Sequence, residues 1–102
     1  MVVTFTATDE CGLTSTLTHT FTIDDTTPPD IVAGADGQAE CEGPEPNLNS
    51  FYQAWLSNLA GVTASDICGD VVITYLEGTW TQTGCQDVMV VTFTATDECG
   101  LT

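Results

Sequence analysis

Residues 1–14 read MVVTFTATDECGLT, and residues 89–102 read MVVTFTATDECGLT again. Fourteen consecutive identities at an offset of 88 residues make the polypeptide a window on a periodic sequence, slightly longer than one period. Met89 is internal, so Met1 is expected to be the same internal position of an earlier copy. The stretch alternates: Val3, Phe5 and Ala7 fall on one face, Thr4, Thr6 and Thr8 on the other, the period of a half-buried strand. Thr16–Ile23 alternates in the same way, with Leu17, His19, Phe21 and Ile23 inward. With Asp9-Glu10-Cys11-Gly12 as the turn, the two stretches are predicted to form a hairpin.

Asp24-Asp25-Thr26-Thr27-Pro28-Pro29-Asp30 follows. Paired prolines lack amide donors and stiffen the chain, so 26–29 reads as a linker. Residues 1–25 are then the last two strands of one repeat, and 28–102 the next repeat without its final strand. Ile31–Cys41 reads as an irregular first strand. Leu48, Phe51, Tyr52, Trp55, Leu56 and Leu59 share one helical face and predict an α-helix over about 48–60, with Asn47 or Asn49 as cap and Gly61 at its end. Val62–Asp66 is a short strand. Val71–Leu76 and Thr79–Thr83 flank Glu77-Gly78 as an expected hairpin, and the repeated strand runs over 88–96. The expected fold is mainly β, an immunoglobulin-like sandwich with one inserted helix.

Composition narrows the function. The chain has 15 Asp plus Glu, one His and no Lys or Arg, for a formal charge of −15. Removing the duplicated Asp97 and Glu98 leaves thirteen acidic residues per period. Without basic side chains it cannot neutralise phosphates, which argues against nucleic acid, and an anionic membrane would repel it. No apolar run approaches the roughly 20 residues of a membrane span, so no membrane insertion is expected. Uncompensated carboxylates repel one another unless a cation sits between them, and calcium suits carboxylate oxygen best.

One period holds four cysteines: Cys41, Cys68, Cys85 and Cys99, with Cys11 equivalent to Cys99. An even count in a Lys-free, Thr-rich unit fits a disulfide framework in an oxidising, extracellular setting, and no C-x₂-C pair supports a metal-thiolate site. Cys85 and Cys99 lie at opposite ends of a strand, too far apart to bond. Asp-x-Cys-Gly recurs at Cys68 and Cys99, which favours Cys68–Cys99 with Cys41–Cys85. The competing pair is Cys68–Cys85, across the open end of the expected 71–83 hairpin.

Asp-Thr-Thr-Pro-Pro at 25–29, Ala-Ser-Asp-Ile-Cys-Gly at 64–69 and Val-Thr-Phe-Thr-Ala-Thr-Asp-Glu-Cys-Gly at 91–100 together resemble the signature of hyalin-repeat (HYR-like) domains. The insert around Ala54-Trp55-Leu56 is similar to versions in giant Bacteroidetes surface proteins, including gliding adhesins. The likeness covers nearly the whole period. It implies an immunoglobulin-like fold, secretion to the cell surface, and a place in a long tandem array serving adhesion. Leu101 departs from the Asn usual after Asp-x-Cys-Gly.

In such a sandwich Asp24, Asp25, Asp30, Asp66, Asp70, Asp97 and Glu98 (equivalently Asp9 and Glu10) converge on one domain junction, the candidate calcium site. Taken singly, each is also an ordinary turn residue. Asp25-Thr26-Thr27 resembles a short O-glycosylation motif, with Thr26 as acceptor. His19 reads as a packed residue of an apolar strand face, Trp55 as core, and Trp80 as sheet packing or a sugar platform. No nucleophile–base pair or phosphate loop points to an enzyme. The leading expectation is a structural and adhesive repeat whose partners are neighbouring identical repeats, in the same or adjacent chains, and surface polysaccharide. The alternative is a ligand-binding module for carbohydrate or ice, the latter on the Thr-x-Thr rows.

Overall fold

Both alternating stretches become strands, but the second runs over Thr14–Thr20 instead of Thr16–Ile23, and every residue of the two strands, His19 included, is exposed instead of half-buried because no second layer covers the hairpin. In the computed structural model, which describes residues 1–102, β1 (Val2–Thr8) and β2 (Thr14–Thr20) pair antiparallel, with Phe5 opposite Leu17 and Val3 opposite His19. Asp9 Oδ1 accepts the amides of Cys11 and Leu13, both at 2.9 Å, and closes the turn. Gly12 completes it at φ +81°, where a side chain would be strained.

After the linker, β3 (Asp30–Val32) pairs with β4 (Thr63–Ser65), β5 (Val71–Glu77) with β8 (Val91–Asp97), and β6 (Thr81–Thr83) with β7 (Gln86–Val88), all antiparallel. The protein is mainly β, with one α-helix, α1 (Ser50–Ser57), between β3 and β4.

Four further expectations are corrected, three of them in the strands. The 71–83 hairpin does not form. Gly78 stays on the β5–β8 ladder, its amide donating to the Val90 carbonyl at 3.0 Å, so Thr79 and Trp80 turn away from β5. Residues 81–83 fold instead onto 86–88 around Gly84-Cys85, with Gly84 at φ +63° in the first position of a two-residue turn. The irregular first strand shrinks to Asp30–Val32, and the repeated strand starts at Val91 because Val88 belongs to β7.

The helix is shorter than 48–60. A 3₁₀ turn at Pro46–Leu48 precedes α1, and another at Leu59–Gly61 follows it. Asn49 is the cap, its Oδ1 accepting the amides of Phe51 and Tyr52 at 3.0 and 3.1 Å. Positive φ at Leu59 (53°) and Ala60 (54°) stops the helix. The reversed Ala60 carbonyl accepts the Ala35 amide at 2.9 Å. Gly34 allows this approach, since a Cβ there would sit 1.9 Å from the Ala60 oxygen. Of the expected helical face, Tyr52, Trp55, Leu56 and Leu59 are half-buried, whereas Leu48 and Phe51 are both 63% exposed.

An aromatic cluster replaces a conventional core. Trp55 lies against Phe93 (centroids 6.2 Å) and Tyr52 (6.2 Å), and its Nε1–H donates to the Ala35 carbonyl at 2.8 Å. Trp80 meets Tyr52 edge-on at 5.1 Å, and Tyr75 lies 6.3 Å from Phe93. Burial and a hydrogen bond to the Glu77 carboxylate push the Tyr52 phenol well above its ordinary range.

The chain does not close on itself. Its extents are 91 × 18 × 17 Å and its radius of gyration is 26.0 Å, about twice the roughly 13 Å of a globule of this length. Its accessible surface is 8123 Å², against roughly 5,500 Å² for a folded monomer of this mass. Only Ala60, Ala95 and Asp97 are buried, and all four ladders remain two-stranded. No helix is long and apolar enough to cross a membrane.

Candidate metal and thiol junction

The acidic site is built on two loops of one local design. In Asp66-Ile67-Cys68 and Asp97-Glu98-Cys99 the Asp Oδ1 accepts the Cys amide two residues on, at 2.8 and 2.9 Å. Asp97 Oδ1 also accepts the Leu101 amide at 2.8 Å. The turn is thus closed by Asp97 and the backbone of residue 101, so the Leu side chain at 101 does not prevent it. Asp25 forms the same local bond to the Thr27 amide at 3.2 Å, and this bend brings its carboxylate between the two loops.

There Asp25, Asp66 and Cys68 place their ligand atoms within 4.8 Å of one another, and so do Asp25, Asp97 and Cys99. Asp25 and Asp66 are half-buried and Asp97 is only 7% exposed. Asp97 Oδ2 is buried with no hydrogen-bond partner. A buried, unsatisfied carboxylate oxygen is costly and calls for a cation or donor. Asp24 and Asp30 line the same cleft, of about 130 Å³, with Asp25, Pro28 and Asp66.

The other expected ligands stand differently. Glu98 turns toward the Gly69–Asp70 backbone, where its Oε1 lies 3.5 Å from the Asp70 amide. Asp70 contributes that amide. Asp9 and Glu10 lie on the exposed β1–β2 turn, away from Asp25 and Asp66 in sequence and without a second loop beside them. Thr26 is exposed on the linker. Trp80 is engaged with Tyr52 instead of forming a free platform.

All five cysteines are exposed free thiols. Cys68 and Cys99 each have Sγ within 4.8 Å of an Asp25 carboxylate oxygen. Their thiols are pushed up, by desolvation first and then by Asp25, with Asp66 and Asp97 adding to Cys68, and Asp97 and Asp24 to Cys99. Each cluster thus sets two carboxylates beside one thiol, with Asp25 common to both and Asp24 and Asp30 lining the cleft next to it. Cys41 Sγ–H donates to the Gly43 carbonyl at 3.2 Å, and Cys85 sits at the tip of the β6–β7 turn. Without the 71–83 hairpin, the structural reason for a Cys68–Cys85 pair is gone.

One feature of this region was not legible in the residue pattern. Glu42 acts as a second cap for α1: its carboxylate accepts the Ser50 amide and hydroxyl, both at 2.7 Å. These two bonds hold its carboxyl below the usual range. Spacing gave no signal, because the contact spans the Gly43–Pro46 loop.

Comparison with family models, curated proteins and solved structures gives no match. The likeness to hyalin-repeat domains rests on the motifs at 25–29, 64–69 and 91–100.

Proposed function

We propose that this chain is a structural and adhesive tandem repeat of a long extracellular surface protein or filament. Each unit is an immunoglobulin-like sandwich assembled from 28–102 of one copy and the strand that follows the next turn. Cys68–Cys99 and Cys41–Cys85 disulfides and calcium at the Asp25–Asp66–Asp97 junction stiffen the array. Neighbouring identical repeats are the partners, with surface polysaccharide as the adhesive target.

The observation that carries this reading is the repeated 14-residue segment in two half-environments. Near the start of the chain it has β2 beside it and no aromatic cluster. In its second occurrence it has β5 and Trp55 beside it and no β2. A unit that leaves its surface so bare is suited to being completed by its neighbours, and identical copies suit a spacer better than a catalyst.

Electron microscopy of chains carrying several 88-residue periods tests the reading. Rods whose length grows in proportion to the number of periods, and which bend more in chelator than in millimolar calcium, are expected. Separate beads on a flexible string, indifferent to calcium, would overturn it.

A further inference from the structure

We infer that the outer edge of β8 is a preformed acceptor for one specific strand, the segment Thr14–Phe21 of a second copy of this chain. The inference deepens the tandem-repeat reading and rests on it for the identity of the donor. The fit itself is argued from hydrogen-bond phase.

In an antiparallel ladder, alternate residues turn both amide and carbonyl toward one neighbour, and the residues between turn theirs the other way. β1 and β8 are the same sequence offset by 88, so their phases can be compared residue by residue. In β1 the odd-numbered residues face β2. Met1 and Phe21 exchange both bonds, at 2.9 and 3.1 Å, and the Asp9 amide donates to Leu13 at 2.9 Å. In β8 the even-numbered residues face β5, as the Gly78–Val90 bond and the Leu76–Thr92, Thr74–Thr94 and Val72–Thr96 register fix. The odd residues Val91 and Phe93, both half-buried, and Ala95, only 6% exposed, therefore turn amides and carbonyls to the edge that no strand pairs. They are the equivalents of Val3, Phe5 and Ala7, which bond β2.

The two half-environments thus use opposite edges of one strand and do not compete. Superposed, they give a three-stranded order, β5–β8–β2 of the second copy. The register is Val91 opposite His19, Phe93 opposite Leu17 and Ala95 opposite Ser15. The first rung is already made: the Asp97 amide donates to the Leu101 carbonyl at 3.0 Å, matching Asp9–Leu13, and Gly100 at φ +83° matches Gly12 at +81°. The return turn thus aims the following residues along the open edge.

Side chains agree with the backbone. Cross-strand partners project to the same face, so Leu17 and His19 would stand beside Phe93 and Val91, on the face Trp55 covers. In their own hairpin, Leu17 and Phe21 are 60% and 66% exposed. An open strand edge is a pairing hazard unless it is covered, and here the sequence encodes its cover. A separate copy can supply the strand by exchanging β2 from its own β1 to the identical β8.

The test is amide hydrogen exchange on the full chain extended at Thr102 by the sequence of Ser15–Asp25, compared with the 102-residue chain at low concentration. In both, Thr92, Thr94 and Thr96 are slow through β5. Val91 and Phe93 are fast in the 102-residue chain and should slow by at least about tenfold in the extended one, whereas Ala95 is buried in both and is no reporter. Val3, Phe5 and Ala7, already paired with β2, are the internal standard. A second measurement adds a peptide of the Leu13–Asp24 sequence to the 102-residue chain, and the same two amides should respond. Amides of Val91 and Phe93 that stay fast in both experiments would overturn the inference, as would a scrambled extension that protects them equally. Protected amides with arrays that still behave as flexible beads would leave the edge assignment standing and refute the stiff-array reading alone.

Discussion

Asp9 and Asp97 occupy the same place in the same turn, each accepting two backbone amides through Oδ1, yet Asp9 is exposed and Asp97 is buried to within 7%. Sequence cannot distinguish them, because the surrounding fourteen residues are identical. The difference is the neighbourhood: Asp97 has Asp25 and the Asp66–Cys68 loop against it, and Asp9 has solvent. One residue is thereby seen as a turn-former alone, and as a turn-former packed against a second acidic loop.

That contrast predicts unequal costs for one substitution. Asp97→Ala removes two charge-assisted hydrogen bonds, both accepted by Oδ1, in a buried turn and should cost about 2 kcal/mol. Asp9→Ala removes the same bonds where water can replace them and should cost well under half as much. Thermal melting of the two variants side by side checks this; equal losses would mean that the junction adds nothing to the turn.

The thiols give a pH prediction. Desolvation and then the negative charge of Asp25 hold Cys68 and Cys99 above the ordinary thiol range. The unfolded chain therefore releases these protons first. In the reduced protein their contribution to stability is intact below about pH 8.5 and is lost as pH rises through the higher folded values. Alkylation of the two residues should rise only at pH above that ordinary value, and calcium at Asp25 should shift the rise downward. A rate profile unchanged by calcium would separate the thiols from any cation at the carboxylates. Under oxidising conditions peptide mapping should find Cys68 joined to Cys99, with a gain of about 2–4 kcal/mol.

The helix insert should be sensitive at two positions that look unremarkable in sequence. Gly34→Ala places a Cβ 1.9 Å from the Ala60 oxygen and must displace the turn that ends α1. Glu42 has a lowered carboxyl, so its support of the helix start is present at neutral pH and is lost as pH falls below the ordinary range near 4.3. Circular dichroism should show helix loss in Gly34→Ala at every pH. In Glu42→Gln, fraying of the first turn at pH 7 should match that of the native chain in acid.

Much of this arrangement was legible where structure is local. Alternation located β1 and, two to three residues late, β2; the repeat located β8; the turns were marked by Asp-x-Cys-Gly; and Asn49 was one of two cap candidates. Pairing between distant segments was not. Val71–Leu76 and Thr79–Thr83 look like a hairpin in isolation, and only the Gly78–Val90 bond shows that β5 prefers a strand fourteen residues further on. The helix ended early because Leu59 and Ala60 adopt positive φ to reach Ala35, which no propensity encodes. The seven carboxylates were placed together by topology alone, and side chains divide them: Asp25 meets Asp66 in one cluster and Asp97 in another, Asp24 and Asp30 line the cleft, and Glu98 turns to the Asp70 amide.

Equilibrium unfolding of chains carrying one, two and three 88-residue periods tests the central claim most directly, since each added copy should cover the open edge of the one before it. The account predicts a midpoint and a cooperativity that climb with the number of periods, most steeply from one to two. A midpoint and slope that do not change from one period to three would contradict it.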